Sequence, residues 1–277
     1  MENPRQNPDR YALVGHPVNH SRSPLIHQLF ARQTGEFLTY ELIDADPSQF
    51  ETAVLGFRAA GGKGLNVTVP HKQAAFEISN QLGEDAKRAK AVNTLSFNSG
   101  HLRGDNTDGA GFMQDLTVNL DLSVTGKRVM ILGAGGAARG ILGPLLDAEP
   151  AELWLANRTV VRAEQMKEEF DTSVDIKVCE FEKLDTVEPL DLLINATSAG
   201  LKGEQPPFPA SLVDAHSFCY DLVYSLKDTP FVAWARAHGA GNAAQGWGML
   251  VEQAAASYQL WRGIRPETAA ILQQMGS

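Results

Sequence analysis

From residue 11 the chain alternates short apolar, β-branched runs with stretches whose apolar residues recur at helical spacing. "YALVGH" precedes "SPLIHQLFARQTG", "FLTYELIDA" precedes a helical pattern near 47–60, and "GLNVTVP" follows. This rhythm predicts βαβ units and a mostly parallel sheet. "AVNTLSFNSGHLRGDN" departs from it, with two short β runs around Asn98, Ser99 and Gly100 that predict a hairpin. A helix is expected from about Thr107 to Leu120. After a connector, "DLSVTGK", the alternation restarts with "KRVMILGAGGAARG" and continues through "AELWLAN", "VDIKVC", "DLLINAT" and "SFCYDLV". The last helical stretch, "GMLVEQAAASYQLWRG", has no strand after it and is expected to pack back on the first half. The pattern predicts an α/β fold of two α/β domains with a cleft between them. Residues 1–120 with the C-terminal helices from about 247 to 277 form one domain, and residues 121–246 the other.

Composition narrows the class. At 277 residues, 43% hydrophobic and 21% charged, the chain has the balance of a soluble globular protein long enough for two cores. A formal net charge of −9 argues against nucleic acid as a partner, so any phosphate site must be built locally. The start, "MENPRQNPDR", lacks an apolar export segment, and no run of about 18 apolar residues occurs, which leads to the expectation of a cytoplasmic protein. Cys179 and Cys219, each in a strand-like run, read as buried thiols, and the histidine spacing supports no metal site.

The strand ends carry the candidate chemistry. In "NVTVPHK" Pro70 should stop a strand and leave Lys72 just beyond it, where open α/β sheets bind ligands, although a solvated lysine would also sit there. Gly133, Gly135 and Ala138 fit G-x-G-x-x-G/A between a strand and an Ala-rich helix, the arrangement that brings a pyrophosphate against backbone amides. Where an NAD site usually carries an acidic residue, this chain has Asn157, Arg158, Thr159 and then Arg162. Two guanidiniums suit a 2′-phosphate, and NADP(H) is expected; the bland alternative is a Thr159 cap beside solvated arginines. Ser21 and Ser23 precede a helix, where they serve as caps, as carboxylate ligands, or one of each. Asp108 falls in the first turn of another helix, a place the helix dipole favours without any function. Lys72, Asp108, Asn66, Thr68 and Asn93 together suit a small polyhydroxylated substrate.

The motifs "HSRSPLIH", "NVTVPHK", "AVNTLSF", "GDNTDGAGF", "GAGGAARG", "NRT", "INATSAG" and "GMLVEQAA" resemble, in order and spacing over nearly the whole chain, the shikimate dehydrogenase family. The resemblance implies a substrate domain followed by a Rossmann-like NADP domain, and the reversible NADPH-dependent reduction of 3-dehydroshikimate to shikimate in aromatic amino-acid biosynthesis. It makes Lys72 and Asp108 the catalytic pair and gives Ser21 and Ser23 the substrate carboxylate. Asn93, Thr68 and Gln253 then hold ring hydroxyls, and Tyr224 completes the pocket. On the cofactor side it points to Gly133, Ala134, Gly135, Gly136, Ala137, Asn157, Arg158, Thr159, Arg162, Thr197, Leu222, Gly246 and Met249, with Glu84 near the nicotinamide. Met249 and Gln253, four apart, are expected on one helix face. Three positions depart from the family pattern: His16, Leu226 and Gln245. A quinate/shikimate dehydrogenase using NAD, and a dinucleotide-binding regulator without chemistry, are the rival readings. The partners expected are the small-molecule substrate, with neither nucleic acid nor membrane, in a monomer or a homodimer.

Overall fold

The computed structural model describes residues 7–98, 100–197 and 208–275. Ser99 of the hairpin turn, the first six residues and the last three residues of "INATSAG" lie outside that range. The chain divides into two compact units, Met1–Thr107 with Leu250–Ser277, and Asp108–Met249. The first division falls ahead of the expected one at 120, because Phe112 and Leu116 enter the core of the second unit beside Ile141, Leu145 and Tyr220.

The first unit begins with β1 (Asp9–Gly15), α1 (Ser23–Thr34), β2 (Leu38–Asp44), α2 (Phe50–Ala59), β3 (Gly62–Val67), α3 (Lys72–Ile78), β4 (Gln81–Leu82), α4 (Glu84–Ala89), β5 (Thr94–Asn98) and β6 (His101–Asp105). Its sheet has the order β2-β1-β3-β5-β6-β4, and only β5 runs against the other strands. That reversal brings the start of β5 to the edge where β1, β3 and β6 end. Ala12 and Val14, two apart on β1, face one side with Phe50 and Val54 of α2. The residue after α1 is Gly35, left-handed at φ 72°, whose amide closes the helix on the Ala31 carbonyl.

The second unit holds α5 (Asp108–Gln114), β7 (Arg128–Leu132), α6 (Gly136–Asp147), β8 (Glu152–Ala156), α7 (Val160–Glu168), β9 (Ile176–Cys179), β10 (Leu192–Asn195), β11 (Phe218–Asp221), α8 (Pro230–Ala237) and β12 (Asn242–Gln245). Its strands are all parallel in the order β12-β11-β10-β7-β8-β9, the doubly wound arrangement. Both faces are covered, as the apolar strands require: Val129 and Ile131 join one core, Met130 and Leu132 the other. Gly109 lets α5 approach α6 closely, since a Cβ there would come within 2.6 Å of the Gly140 carbonyl oxygen. The helix expected to run to Leu120 changes character at Asp115, where one wider π turn spans Asp115–Asn119.

Helix α9 (Trp247–Arg262) begins in the second unit, and its residues from Leu250 belong to the first, as does α10 (Ala269–Met275). Val251, Ala254, Ala255 and Tyr258, at helical spacing, bury against Ile26 and Phe30 of α1. Among the described residues no helix is long and apolar enough to cross a membrane.

Candidate active site

In the first unit the expected substrate residues gather at the edge where β1, β3 and β6 end and β5 starts. Strand β3 stops at Val67, earlier than the proline alone implies, yet the chain keeps alongside β1: the Thr68 amide donates to the Val14 carbonyl at 2.9 Å, and the His16 amide to Val69 at 2.9 Å. Gly15 permits this, since a Cβ there would lie 2.4 Å from the Thr68 methyl. The turn then closes with the His71 amide on the Thr68 carbonyl at 2.9 Å and delivers Lys72 as the first residue of α3. His71 is buried, stacked on Phe50 and bonded through Nε2 to the Ala45 carbonyl at 2.7 Å, which anchors the turn before Lys72.

Asn93, just before β5, is almost wholly buried. Its Oδ1 accepts the Thr107 amide and the Thr94 hydroxyl, each at 2.8 Å; its Nδ2 donates to Thr107 Oγ1 at 2.9 Å and to Gln253 Oε1 at 3.3 Å. Asp108, buried, follows Thr107 directly as the first residue of α5. Asn66 is engaged at both ends of its amide: Oδ1 accepts the Tyr40 hydroxyl at 2.8 Å, and Nδ2 donates to Ser257 Oγ at 2.9 Å. Its place is in the framework beneath Asn93, whose carbonyl it also holds at 3.2 Å. Ser21 Oγ accepts the Ser23 amide and lies 3.2 Å from Ser23 Oγ. Neither serine is the N-cap; Arg22 holds that position without a side-chain cap bond. Glu84 opens α4, exposed and paired with Lys87 at 2.6 Å.

In the second unit the glycine turn follows β7 directly. Gly133, at φ 109°, donates to the Ala156 carbonyl at 2.7 Å and packs so closely on Ala196 that a Cβ would sit 3.1 Å from its carbonyl carbon. Gly135 opens α6 facing unfilled space, and Gly136 and Ala137 form the first turn, whose amides point outward. Ala134 lies between the two glycines, half-buried. Ala138 is buried against the sheet, as a small third residue must be. After β8 come Asn157, then exposed Arg158 and Thr159, and exposed Arg162 in the first turn of α7. Thr159 stands at the N-cap but makes no side-chain cap bond, and among the described residues neither arginine has a carboxylate partner. The residues fit an NADP 2′-phosphate and pyrophosphate. Thr197 hangs from Asn195, whose Oδ1 accepts its amide at 3.1 Å and its hydroxyl at 2.7 Å. Leu222 and Gly246 touch at the ends of β11 and β12, a Cβ at Gly246 falling 2.5 Å from the Leu222 carbonyl oxygen. Met249 is buried with the core over α6 that also holds Tyr220, whose hydroxyl donates to Asp115. Tyr224 is half-buried against Trp247.

Tyr40, Thr107 and Ser257 were not singled out by sequence reasoning, although they order Asn66 and Asn93. Ser257 lies four residues after Gln253, so the helical period of α9 was a signal that could have found it. Of the departures from the family pattern, His16 Nδ1 pairs with Asp44 at 2.6 Å. Among the described residues no group of three or more His, Cys, Asp or Glu is placed to hold a metal ion.

Strand order and glycine turn define a dinucleotide-binding α/β protein. Three family models match in series: the shikimate dehydrogenase substrate binding domain over residues 13–95, shikimate / quinate 5-dehydrogenase over 116–202, and the shikimate 5′-dehydrogenase C-terminal domain over 246–275. The chain belongs to the shikimate dehydrogenase family. It is 51% identical to the shikimate dehydrogenase (NADP(+)) of Alkalilimnicola ehrlichii, over 95% of this chain and 97% of that one. Among solved structures it superposes with a TM-score of 0.87 on an Ael1 enzyme from Pseudomonas putida, at 43% identity over 97% of this chain and 98% of the other. It superposes at 0.84 on the Thermus thermophilus shikimate 5-dehydrogenase in complex with NADP(H) and shikimate, at 33% identity over 96% and 97% of the two chains.

Proposed function

We propose that this chain catalyses the reversible, NADPH-dependent reduction of 3-dehydroshikimate to shikimate, a step of aromatic amino-acid (chorismate) biosynthesis. The observation that carries the reading is the half identity, over nearly the full length of both chains, to a shikimate dehydrogenase (NADP(+)). The arginines after β8 support NADP over NAD, because no carboxylate stands there to repel a 2′-phosphate.

Bound NADPH supplies a hydride to the ketone carbon. The ketone oxygen takes up the negative charge, and the Lys72 ammonium stabilises that alkoxide and donates the proton that completes the hydroxyl. Asp108 is the second member of the catalytic pair. Ser21 and Ser23 hold the substrate carboxylate; Thr68, Asn93 and Gln253 orient ring hydroxyls, with Asn66 holding Asn93 in place; Tyr224 closes over the ring. Gly133 to Ala137 take the pyrophosphate, Asn157 to Arg162 the 2′-phosphate, and Thr197, Leu222, Gly246, Met249 and Glu84 the nicotinamide half. The enzyme works in the cytoplasm, without nucleic acid, as a monomer or a homodimer.

Incubating the protein with shikimate and NADP+, and following nicotinamide reduction, tests the reading. Parallel arms with NAD+ and with quinate are expected to turn over far more slowly. Equal rates with quinate and NAD+ would favour the quinate/shikimate reading, and tight NADPH binding without any turnover would favour a regulator.

A further inference from the structure

The segment that leaves β11 and carries Tyr224 is strapped down by two side chains on either side of Gly246. Gln245 ends β12 opposite Asp221 in the sheet. Its Oε1 accepts the Ser225 amide at 2.7 Å, and its Nε2 donates to the Lys227 carbonyl at 3.1 Å. Trp247 donates its indole N–H to the Ser225 carbonyl at 3.2 Å and sets its ring 4.6 Å from that of Tyr224, tilted by 45°. Between them the Gly246 amide donates to the Val223 carbonyl at 3.1 Å. Tyr224 is thus flanked on both sides by backbone that residues 245–247 hold. Leu226, at its tip, is 79% exposed, and within the segment the Lys227 amide donates to Ser225 Oγ at 3.4 Å, so the bonds from Gln245 and Trp247 add to a stretch with little apolar burial at its tip. Gln245 and Leu226 are two of the positions that set this chain apart from the family pattern. A carboxylate at 245 could accept from Ser225 but has no N–H for Lys227.

We propose that Gln245 and Trp247 are positioning residues that fix Tyr224 for the substrate ring, so that their side chains govern turnover of the hydroxy acid, while dinucleotide affinity rests on the glycine turn, the arginines and the backbone about Gly246. The inference rests on the assignment of Tyr224 to the substrate. A side chain that is already ordered before binding spares the complex that cost, and small displacements of a bound substrate slow its reaction steeply.

The test is a double-mutant cycle. Gln245→Ala, Gln245→Glu and Trp247→Phe are made in the wild-type chain and in Tyr224→Phe, and kcat, the KM for shikimate, NADPH affinity and melting temperature are measured for each. Gln245→Ala is expected to lower kcat/KM for shikimate about tenfold, the loss of two ordinary hydrogen bonds, with NADPH affinity kept within about twofold. Gln245→Glu and Trp247→Phe, which keep the Ser225 contact and the ring contact respectively, should fall between. In the Tyr224→Phe background the Gln245→Ala loss should shrink, because both changes then remove one contribution. A Tyr224→Phe enzyme with unaltered kcat/KM would remove the Tyr224 assignment and this inference with it. If Tyr224→Phe is impaired, the assignment stands, and the positioning role is overturned by any of three results: normal Gln245→Ala kinetics, an undiminished loss in the double variant, or an equal loss of NADPH affinity.

Discussion

Asn195, at the end of β10, donates its side-chain amide to Asp221 Oδ1 at the end of β11, 2.9 Å away. That bond decides which way the Asn195 amide faces, and so turns its Oδ1 toward the amide and hydroxyl of Thr197. Asp221 is fully buried and is met by neutral donors: the Val223 amide at 3.1 Å, the Thr229 hydroxyl at 2.6 Å and Asn195 itself. Thr229 in turn caps α8 by accepting the Val232 amide at 3.2 Å. One carboxyl therefore ties together the loops after β10 and β11 and the start of a helix.

Burial pushes the Asp221 carboxyl up to about 6 from its ordinary 3.8, against the opposing pull of its hydrogen bonds. A raised acid favours the folded state most where it stays protonated. Its contribution is fully present below about 3.8 and is lost as pH rises through about 6, a swing of roughly 3 kcal/mol. Urea unfolding of wild type and Asp221→Asn across that range should show wild type gaining on the variant as pH falls. A difference that stays flat with pH would contradict it.

His27 titrates with the opposite sign. Its ring lies buried in α1, stacked on Tyr40 at 4.1 Å and 9°, and burial pulls it down to about 3 from 6.5. Below 6.5 the unfolded chain takes a proton that the folded ring refuses, so stability from this group, present above 6.5, falls by about 1.4 kcal/mol per pH unit until about 3. His27→Phe keeps the stack and removes a buried ring Nε2 that has no hydrogen-bond partner among the described residues, so it should be at least as stable as wild type above pH 7. Near pH 5 its margin over wild type should grow by about 2 kcal/mol, since only wild type then carries the proton penalty. A stability difference that stays the same at both pH values would refute the assignment.

The alternation of strands and helices, the hairpin before Asp108 and the glycine turn after β7 were legible because each rests on local chemistry: period, turn residues, and a small residue against a sheet. The break at Asp115 was not, because its cause is distant in sequence. The Asp115 carboxylate meets the Tyr220 hydroxyl, and Gly248 packs where any Cβ would collide with that carboxylate. The two-residue β4 and the strand β12, "NAAQ", carry no β-branched side chains to betray them. Among site residues, position at a strand end could be read, but not which end of an amide faces where. Asn66 and Asn93 look alike in sequence, and only the fold shows which partners each amide takes: Tyr40 and Ser257 for Asn66, Thr94 and Thr107 for Asn93. Ser21 and Ser23, at the start of α1, likewise look like caps, until Arg22 is found in that place and Ser21 bonded to Ser23.

Arg158 tests the dinucleotide preference. Exposed after β8 and without a carboxylate partner among the described residues, its guanidinium is available for a phosphate. Arg158→Ala should weaken NADPH binding by about 2 kcal/mol, the scale of a charge-assisted hydrogen bond, and leave NADH binding nearly unchanged. Equal losses for both cofactors, measured by nicotinamide fluorescence, would show that it does not read the 2′-phosphate.

Gln253 and Asn93 separate placing a substrate from holding the fold. The Gln253 side chain contributes to the Asn93 network only its Oε1, at 3.3 Å, while its Nε2 bonds the Leu250 carbonyl one turn back at 2.8 Å; its backbone carbonyl, which accepts the Thr107 hydroxyl at 3.0 Å, stays when the side chain is removed. Removing that side chain leaves Asn93 its bonds to Thr94 and Thr107. Gln253→Ala should therefore cost about 1 kcal/mol of stability or less and keep NADPH affinity, yet lower kcat by up to about a hundredfold if the amide positions a ring hydroxyl. Asn93→Ala strips the partner from the buried Thr107 amide and one partner from the Thr94 hydroxyl, which keeps Ser257, so it should cost about 1–3 kcal/mol of stability in addition to activity. Gln253→Glu retains an acceptor for Asn93 and should recover the stability but only part of the rate, because its carboxylate has no N–H to give. Unchanged kcat and KM for shikimate in Gln253→Ala would take the residue out of the substrate site and leave it as a packing contact of α9.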